Sequence, residues 1–596
     1  MTYNCFTLLS SLKENLQVIL STFGSVDGPV VLLSKDSFME VRVGLRAWLH
    51  RRRVEDVGGE YGFDSVRESS RWAVVCGSVH VELQMGEGEV KVRYKRRQGR
   101  KLSNAKGKRW HSSDCGWSSN WHWTVGGALC LSLIGVWVGA EVSFESFATS
   151  RSLVKTLPGF DGDLPFKLET GYIGVGEMED VQLFYSFVES QREPSSDPLL
   201  VWLNGGPGCS SFQAFFYGNG PLSFDYIYSE ERLPTLHLNP DTLTKVLNML
   251  FIDAPVGAGF SYSKSFDGYF TTDQKTVANL YNFLQKWIID HSEFAENQLY
   301  IGGGSYAGIF IPVLAQKIYD GNEAGLKPHF NLKGYVLGSP KTDSYLDVNS
   351  KVPAAHRLTL VSDELYKSAK ASCNGNYVNI DTTNERCTMD VEAIDELISG
   401  ININQVLEPL CTSGYLKLNI VDRDQRILMR TPNNFLHSLP TNSALWCRDY
   451  EAVFVEIWAN DPSVREALHV REGTKGYWTL CNISDLAYSK DILSTIDYHR
   501  NLSKTRLRAL IYCADLDLSI PHIGTQEWIR SLNFTLDDSW RAWFVDAQVA
   551  GYTERYKYDN FYMTYSSVKG AGHVANTYKP KEVYNMIDRW FAYYPL

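Results

Sequence analysis

The chain has 596 residues, 44% of them hydrophobic and 21% charged, which excludes a disordered chain and leaves room for several domains. Its formal charge of −10 divides unevenly, with +6 on residues 1–120 and −16 on the remainder. The acidic part is a poor binder of phosphate backbones, and no nucleic-acid partner is expected.

Residues 1–120 form a basic segment without a repeat or a motif that carries a mechanism. Lys91–Arg109 holds ten Lys/Arg and no acid, and reads as a solvated segment or as the flank of the apolar run that follows. Residues 121–140 contain that run, Thr124–Ala140, which is almost wholly apolar or small. A basic flank before an apolar stretch marks a signal peptide or signal-anchor, and Val138 and Ala140 fit the small-residue rule for cleavage. A membrane contact is expected only if the run stays uncleaved. Placed 120 residues inside the chain, the signal marks the front of the sequence as a mis-joined or appended region.

Seven of the 11 cysteines follow the apolar run: Cys209, Cys373, Cys387, Cys411, Cys447, Cys481 and Cys513. No Cys-x-x-Cys pair occurs, so no zinc ribbon or thioredoxin-type site is expected, and no metal or cofactor. Seven cysteines after an export signal suggest three disulfides and one free thiol. Glycosylation sequons stand at Asn482, Asn501 and Asn533. Together these features predict a secretory-pathway protein, extracellular or vacuolar.

From residue 150 onward, short apolar runs alternate with helical patterns. Strands are expected at 199–203, 249–253, 299–302, 332–337, 509–512 and 562–568. Helices are expected at 274–291, 309–319 and 581–593. The alternation predicts an α/β fold with a mostly parallel central sheet and helices on both faces. Residues 345–480 break the rhythm and read as a helical, loop-rich insertion capping the sheet. The unit 150–596 is the expected catalytic domain.

The strand at 299–302 runs into Gly303-Gly304-Ser305-Tyr306-Ala307-Gly308 and then a helix. That strand–turn–helix context is the setting of a nucleophile elbow, which lifts a serine hydroxyl above the sheet. His573 stands in Gly570-Ala-Gly-His573, between the last strand and the last helix, on a loop free to reach its neighbours. Asp515 and Asp517 follow the strand at 509–512, and either could orient an imidazole. The chain order Ser, Asp, His is that of the α/β-hydrolase fold. Asn204-Gly-Gly-Pro-Gly-Cys-Ser-Ser211 offers backbone N–H groups to an oxyanion, with the Tyr306 N–H as a second donor.

Asn204–Ser211, Gly303–Gly308, Asp517 and Gly570–His573 together resemble the serine carboxypeptidases, over about Leu153 to Leu596. Leu157–Gly162, Thr170–Gly176, Trp458–Asp461 with Val464–Leu468, and Val545–Tyr552 are similar to the plant serine carboxypeptidase-like group, which includes acyltransferases using glucose esters. The resemblance implies Ser305 as nucleophile, His573 as acid/base and Asp517 as orienting carboxylate. It implies oxyanion donors at Gly206 and Tyr306, and substrate contacts at Trp202, Asn204, Gly205 and Gly304. It also implies disulfides Cys209–Cys481, Cys373–Cys387 and Cys411–Cys447, leaving Cys513 as the odd thiol.

The sequence departs from the family pattern at four positions. Gly304 stands where the peptidases carry Glu and the plant acyltransferases commonly Asp, and Gly218 where a second Glu is usual. Asn576 replaces a proline, and Ala514 a glycine. Without the two acids Asn204 loses partners, and grip on a substrate carboxylate should weaken. The expected function is therefore acyl transfer from glucose esters to alcohol acceptors through an acyl-serine. The alternatives are a carboxypeptidase acting on peptides and a catalytically impaired relative. The expected partners are a small-molecule acyl donor and acceptor, or a peptide.

Overall fold

The computed structural model describes residues 31–35, 38–44, 71–76, 79–86, 89–96, 150–225, 233–410, 448 and 451–596. The apolar run at 124–140, the basic cluster Arg51–Arg53 and the cysteines Cys411 and Cys447 lie outside them. The chain divides into two units, Met1–Ser143 and Phe144–Leu596.

In the first unit, Val31–Lys35, Phe38–Gly44, Arg71–Cys76, Val79–Gly86 and Glu89–Arg96 form an antiparallel sheet in the order first, second, fifth, fourth, third. Glu89–Arg96 is a strand paired on both sides, and the alternation Val90, Val92, Tyr94 against Lys91, Arg93, Lys95 is its period-two signal.

The second unit is built on a twelve-stranded sheet. Its main path uses β1 (Ser150–Val154), β2 (Leu168–Val175), β3 (Val181–Val188), β4 (Leu199–Leu203), β5 (Asn248–Ile252), β6 (Leu299–Gly304), β7 (Leu332–Gly338), β8 (Arg508–Ala514), β9 (Thr535–Val545), β10 (Gln548–Tyr558) and β11 (Phe561–Val568). The spatial order is β9-β10-β11-β8-β7-β6-β4-β5-β3-β2-β1. The six strands from β11 to β5 run parallel, and the pairs outside them are antiparallel. This is the α/β-hydrolase architecture, and every strand expected from the sequence is present.

Two apolar cores sandwich the sheet, and strand alternation assigns residues to them. Leu199, Val201 and Leu203 of β4 enter one core, while Leu200 and Trp202 enter the other. In β8, Ala509, Ile511 and Cys513 face the first core, and Leu510, Tyr512 and Ala514 the second. Both faces are covered, which is why β4 and β5 read as unbroken apolar runs.

Helices α1 (Asp273–Asp290) and α2 (Ala307–Glu323) cover the first face. Between β7 and β8 the described residues hold helices joined by loops, including α3 (Asp363–Ser372), α4 (Glu385–Ser399) and α5 (Glu451–Asn460). Helix α6 (Pro580–Phe591) closes the second face with Val583, Met586, Ile587, Trp590 and Phe591.

Pro312 lies inside α2 and cannot donate to the carbonyl four residues back, that of Gly308. The hydroxyl of buried Thr495 lies 3.3 Å from that oxygen and 3.3 Å from Thr342 O, and its one hydrogen serves the two carbonyls. Thr495→Val keeps the volume and removes that hydrogen. We expect it to cost about 1 kcal/mol, read as a lower denaturant midpoint at unchanged slope.

Candidate active site

Ser305 adopts φ +57°, a conformation that L-residues avoid. Three backbone hydrogen bonds hold it there. Its N–H donates to Gly338 O at 2.9 Å, and its carbonyl accepts from Gly308 N at 3.0 Å and Lys341 N at 2.9 Å. The flanking glycines differ in what they permit. A Cβ on Gly303 would stand 2.3 Å from Leu203 O, and one on Gly308 2.4 Å from Lys341 O. A Cβ on Gly304 would meet nothing closer than Gly338 O at 3.4 Å. Crowding at the turn therefore explains Gly303 and Gly308, and it does not explain Gly304.

Three side chains from three strand ends meet above the sheet. His573 Nε2 lies 2.9 Å from Ser305 Oγ, and Nδ1 lies 2.7 Å from Asp517 Oδ2. The loop is set by the His573 N–H donating to Asn404 O at 2.7 Å. Asp517 is buried, and its Oδ1 accepts from the N–H groups of Ser519 (2.7 Å) and Ile520 (3.0 Å). An ionised carboxylate only accepts, so Nδ1 carries the ring hydrogen and Nε2 is left to take the serine proton. Asp515 does different work, accepting from the Gly570 N–H at 2.7 Å to pin the histidine loop.

The loop after β4 packs directly against the serine. A Cβ on Gly205 would lie 2.7 Å from Ser305 Cβ and 2.8 Å from Tyr306 N. Gly206 and Gly208 take φ +113° and +106°. Among the described residues, no acceptor takes the N–H of Gly206 or of Tyr306. Behind the loop stands fully buried Asp253, which sequence reasoning missed. Its Oδ1 accepts from Ser210 Oγ (2.8 Å), Ser211 N (2.7 Å) and Ser211 Oγ (2.8 Å), and its Oδ2 from Phe260 N (2.9 Å). Burial still pushes this carboxyl above its ordinary range, despite those donors.

Trp202, Asn204, Gly205, Gly206, Gly304, Ser305 and His573 line one cavity of about 280 Å³. Among the described residues, no Asp, Glu, Lys or Arg lines it. Asn204 Nδ2 donates to Ser210 O at 2.9 Å and to Gln213 Oε1 at 3.0 Å. A carbonyl can only accept, so the amide orientation is fixed and both its hydrogens are used. The atom left for a ligand is Oδ1, an acceptor. Tyr512 and Asn576 also line the cavity, and the Tyr512 hydroxyl donates to Asn576 Oδ1 at 2.9 Å. The Asn576 amide in turn donates to Asn219. Gly218 lies behind it, where an added Cβ would stand 2.5 Å from Asn576 Cβ.

The structure joins Cys209 to Cys481 and Cys373 to Cys387. The implied pair Cys411–Cys447 lies outside the described residues. Cys513 is free and buried, and burial pushes its thiol up to about 12, which keeps it unreactive. The sequon residues Asn501 and Asn533 are exposed. Asn482 is half-buried, with Nδ2 donating to Gly257 O at 3.2 Å.

The His573 imidazole is pulled both ways. Burial lowers its pKa, and the charge and hydrogen bond of Asp517 outweigh that, so it is raised above 6.5. An NMR titration of the ring should therefore place it above 6.5. In Asp517→Asn, burial acts without that counterweight and the ring should titrate below 6.5.

Known proteins place this geometry in context. The family model for serine carboxypeptidase matches residues 158–593. Serine carboxypeptidase-like 17 of Arabidopsis thaliana is 44% identical over 447 residues, which is 75% of this chain and 94% of its own length. Serine carboxypeptidase-like 3 of the same plant is 40% identical over 479 residues, 80% of this chain and all of its own. The crystal structure of a prohormone-processing carboxypeptidase from Saccharomyces cerevisiae aligns with a TM-score of 0.56 at 20% identity. It covers 74% of this chain and 95% of that one, and it shares the fold.

Proposed function

The chain belongs to the serine carboxypeptidase family, and from that premise we propose that it works through an acyl-serine, moving acyl groups from glucose esters to alcohol acceptors. Ser305 Oγ attacks the ester carbonyl while His573 Nε2 takes its proton. The N–H groups of Gly206 and Tyr306 receive the oxyanion. His573 then gives the proton to the departing sugar oxygen. An alcohol acceptor enters, loses its proton to the same nitrogen and resolves the acyl-serine as a new ester. Asp517 holds the ring and stabilises its charged form.

The observation that carries the choice of substrate is the state of Asn204. With both amide hydrogens used, it offers the ligand an acceptor, which suits a hydroxyl donor and opposes a carboxylate. The absence of Lys and Arg from the described cavity lining points the same way, since a carboxylate moved there from water finds no counter-charge. The two disulfides support a secretory-route protein, extracellular or vacuolar, with Asn501 and Asn533 as its exposed glycosylation sites.

Labelling by a fluorophosphonate should occur in the native protein and vanish in Ser305→Ala. A native protein that does not label would identify an impaired relative. Three donors sharing one acyl group should then be compared: a glucose ester, a free-acid peptide and the same peptide amidated. We expect kcat/KM for the glucose ester to exceed that for the free-acid peptide by at least about tenfold, or 1.4 kcal/mol. Preferred release of C-terminal residues from the free acid would replace this reading with a carboxypeptidase. Because His573 must be neutral to accept the proton, kcat/KM should rise with pH through a midpoint above 6.5.

A further inference from the structure

The two N–H groups assigned to the oxyanion stand on separate segments. Gly206 follows β4, and Tyr306 follows β6. Their spacing decides whether both reach one oxygen. Among the described residues, the segment 480–492 is attached to both.

At the Gly206 end the attachment is threefold. Cys481 is bonded to Cys209, Ser210 N donates to Leu480 O at 2.8 Å, and Asn482 N donates to Gly208 O at 3.0 Å. The Leu486 side chain covers the same loop, so closely that a Cβ on Gly208 would lie 2.4 Å from its Cδ1.

At the Tyr306 end the attachment is one buried carboxylate. Asp273, the first residue of α1, has no exposed surface. Its Oδ1 accepts from the hydroxyls of Tyr306 (2.9 Å) and Tyr488 (2.7 Å). Its Oδ2 accepts from the N–H groups of Asp491 (2.7 Å) and Ile492 (2.9 Å). The helix N-terminus favours a negative charge there, and four donors account for both oxygens. Between the two attachments, Ile483 of the same segment faces the cavity.

We propose that segment 480–492 is a brace setting the distance between the two oxyanion donors, and that Asp273 is the positioning residue that locks it to Tyr306. The inference rests on the acyl-serine reading above. Asp273 touches no reacting atom and acts through Tyr306. In Asp273→Asn, the carbonyl of the new amide can keep the two backbone donors. Its NH₂ then faces two hydroxyls that must turn round to accept, so the joint loosens without a change of volume. Loss of an oxyanion donor costs about 10²–10³ in rate, and a loosened one should cost less.

The reporter is p-nitrophenyl butyrate. Propylboronic acid, in which boron replaces the carbonyl carbon of the butyryl group and forms a tetrahedral adduct on a serine, stands for the transition state. Butyl p-nitrophenyl ether, with methylene in place of the carbonyl, stands for the ground state. Asp273→Asn should lower kcat/KM by about 10–30-fold and weaken the boronic acid by the same factor, with the ether unchanged within twofold. Tyr488→Phe removes one hydroxyl at the half-buried side of the joint and should give the same pattern at about threefold. It carries the test alone if the aspartate variant does not fold. Boronate affinity unchanged in the folded variants, or boronic acid and ether weakened together, would overturn the brace. A native protein whose boronate binding survives Ser305→Ala would remove the acyl-serine reading, and this inference with it.

Discussion

The left-handed backbone of Ser305 is the constraint on which the site depends. A side chain at φ +57° costs on the order of 1–3 kcal/mol and persists only where its surroundings over-determine it. Here the surroundings are the two strands flanking β6. The β7 side supplies the Gly338 carbonyl and the Lys341 N–H, while the β4 side supplies Gly205, whose missing Cβ lets the loop touch the serine. Here the strain is held from both sides, because β6 lies in the interior of the parallel sheet. Because parallel strands all end on one edge, the loops after β4, β8 and β11 open beside the same serine.

Charge is handled around this site by burying carboxylates against hydrogen-bond donors. Asp253 and Asp273 each accept four hydrogen bonds, and Asp517 accepts two from backbone besides that of His573. A buried carboxylate without such partners would cost several kcal/mol. With them, each becomes a rigid joint: Asp253 for the loop after β4, Asp517 for the imidazole, Asp273 for Tyr306. The cavity itself is left free of acids and bases other than His573 among its described walls, so the fixed charges shape the site from behind.

The sequence reveals this fold where burial is two-sided. Strands β4 to β8 and β11 are short, largely apolar runs with a glycine or aspartate at their end or within two residues of it, and each is recognisable without its neighbours. The hairpin β9–β10 is not. Most of β9 is exposed or half-buried, and three register shifts break its alternation. Its two-residue turn, Asp546-Ala547, takes positive φ at both positions without a glycine to announce it. The same distinction holds at the site. Ser305 and His573 stand among glycines that the turn geometry demands, so they are visible in isolation. Asp253 ends an apolar run and Asp273 opens a helix, each without a local signature. Their partners are set by folding: Asp273 meets Tyr488 across 215 residues of chain. Gly304 is the exception among these glycines, because the turn has room for a side chain there.

That last point bears on the neutrality of the cavity. The resemblance implies an acid at 304 and another at 218, and here both are glycine, yet the two positions are not equivalent. Position 304 is an opening in the wall, with no atom within 3.4 Å of where a Cβ would stand. Position 218 is closed, because the backbone and Cβ of Asn576 occupy the space a side chain would need. Asn576 is itself held at both ends, by Tyr512 and by Asn219, and it stands on the turn that follows His573. Glycine at 218 is therefore tied to the residue at 576, while glycine at 304 is not imposed by its neighbours. The wall presents a clamped neutral amide, and its polar groups are those of an uncharged site.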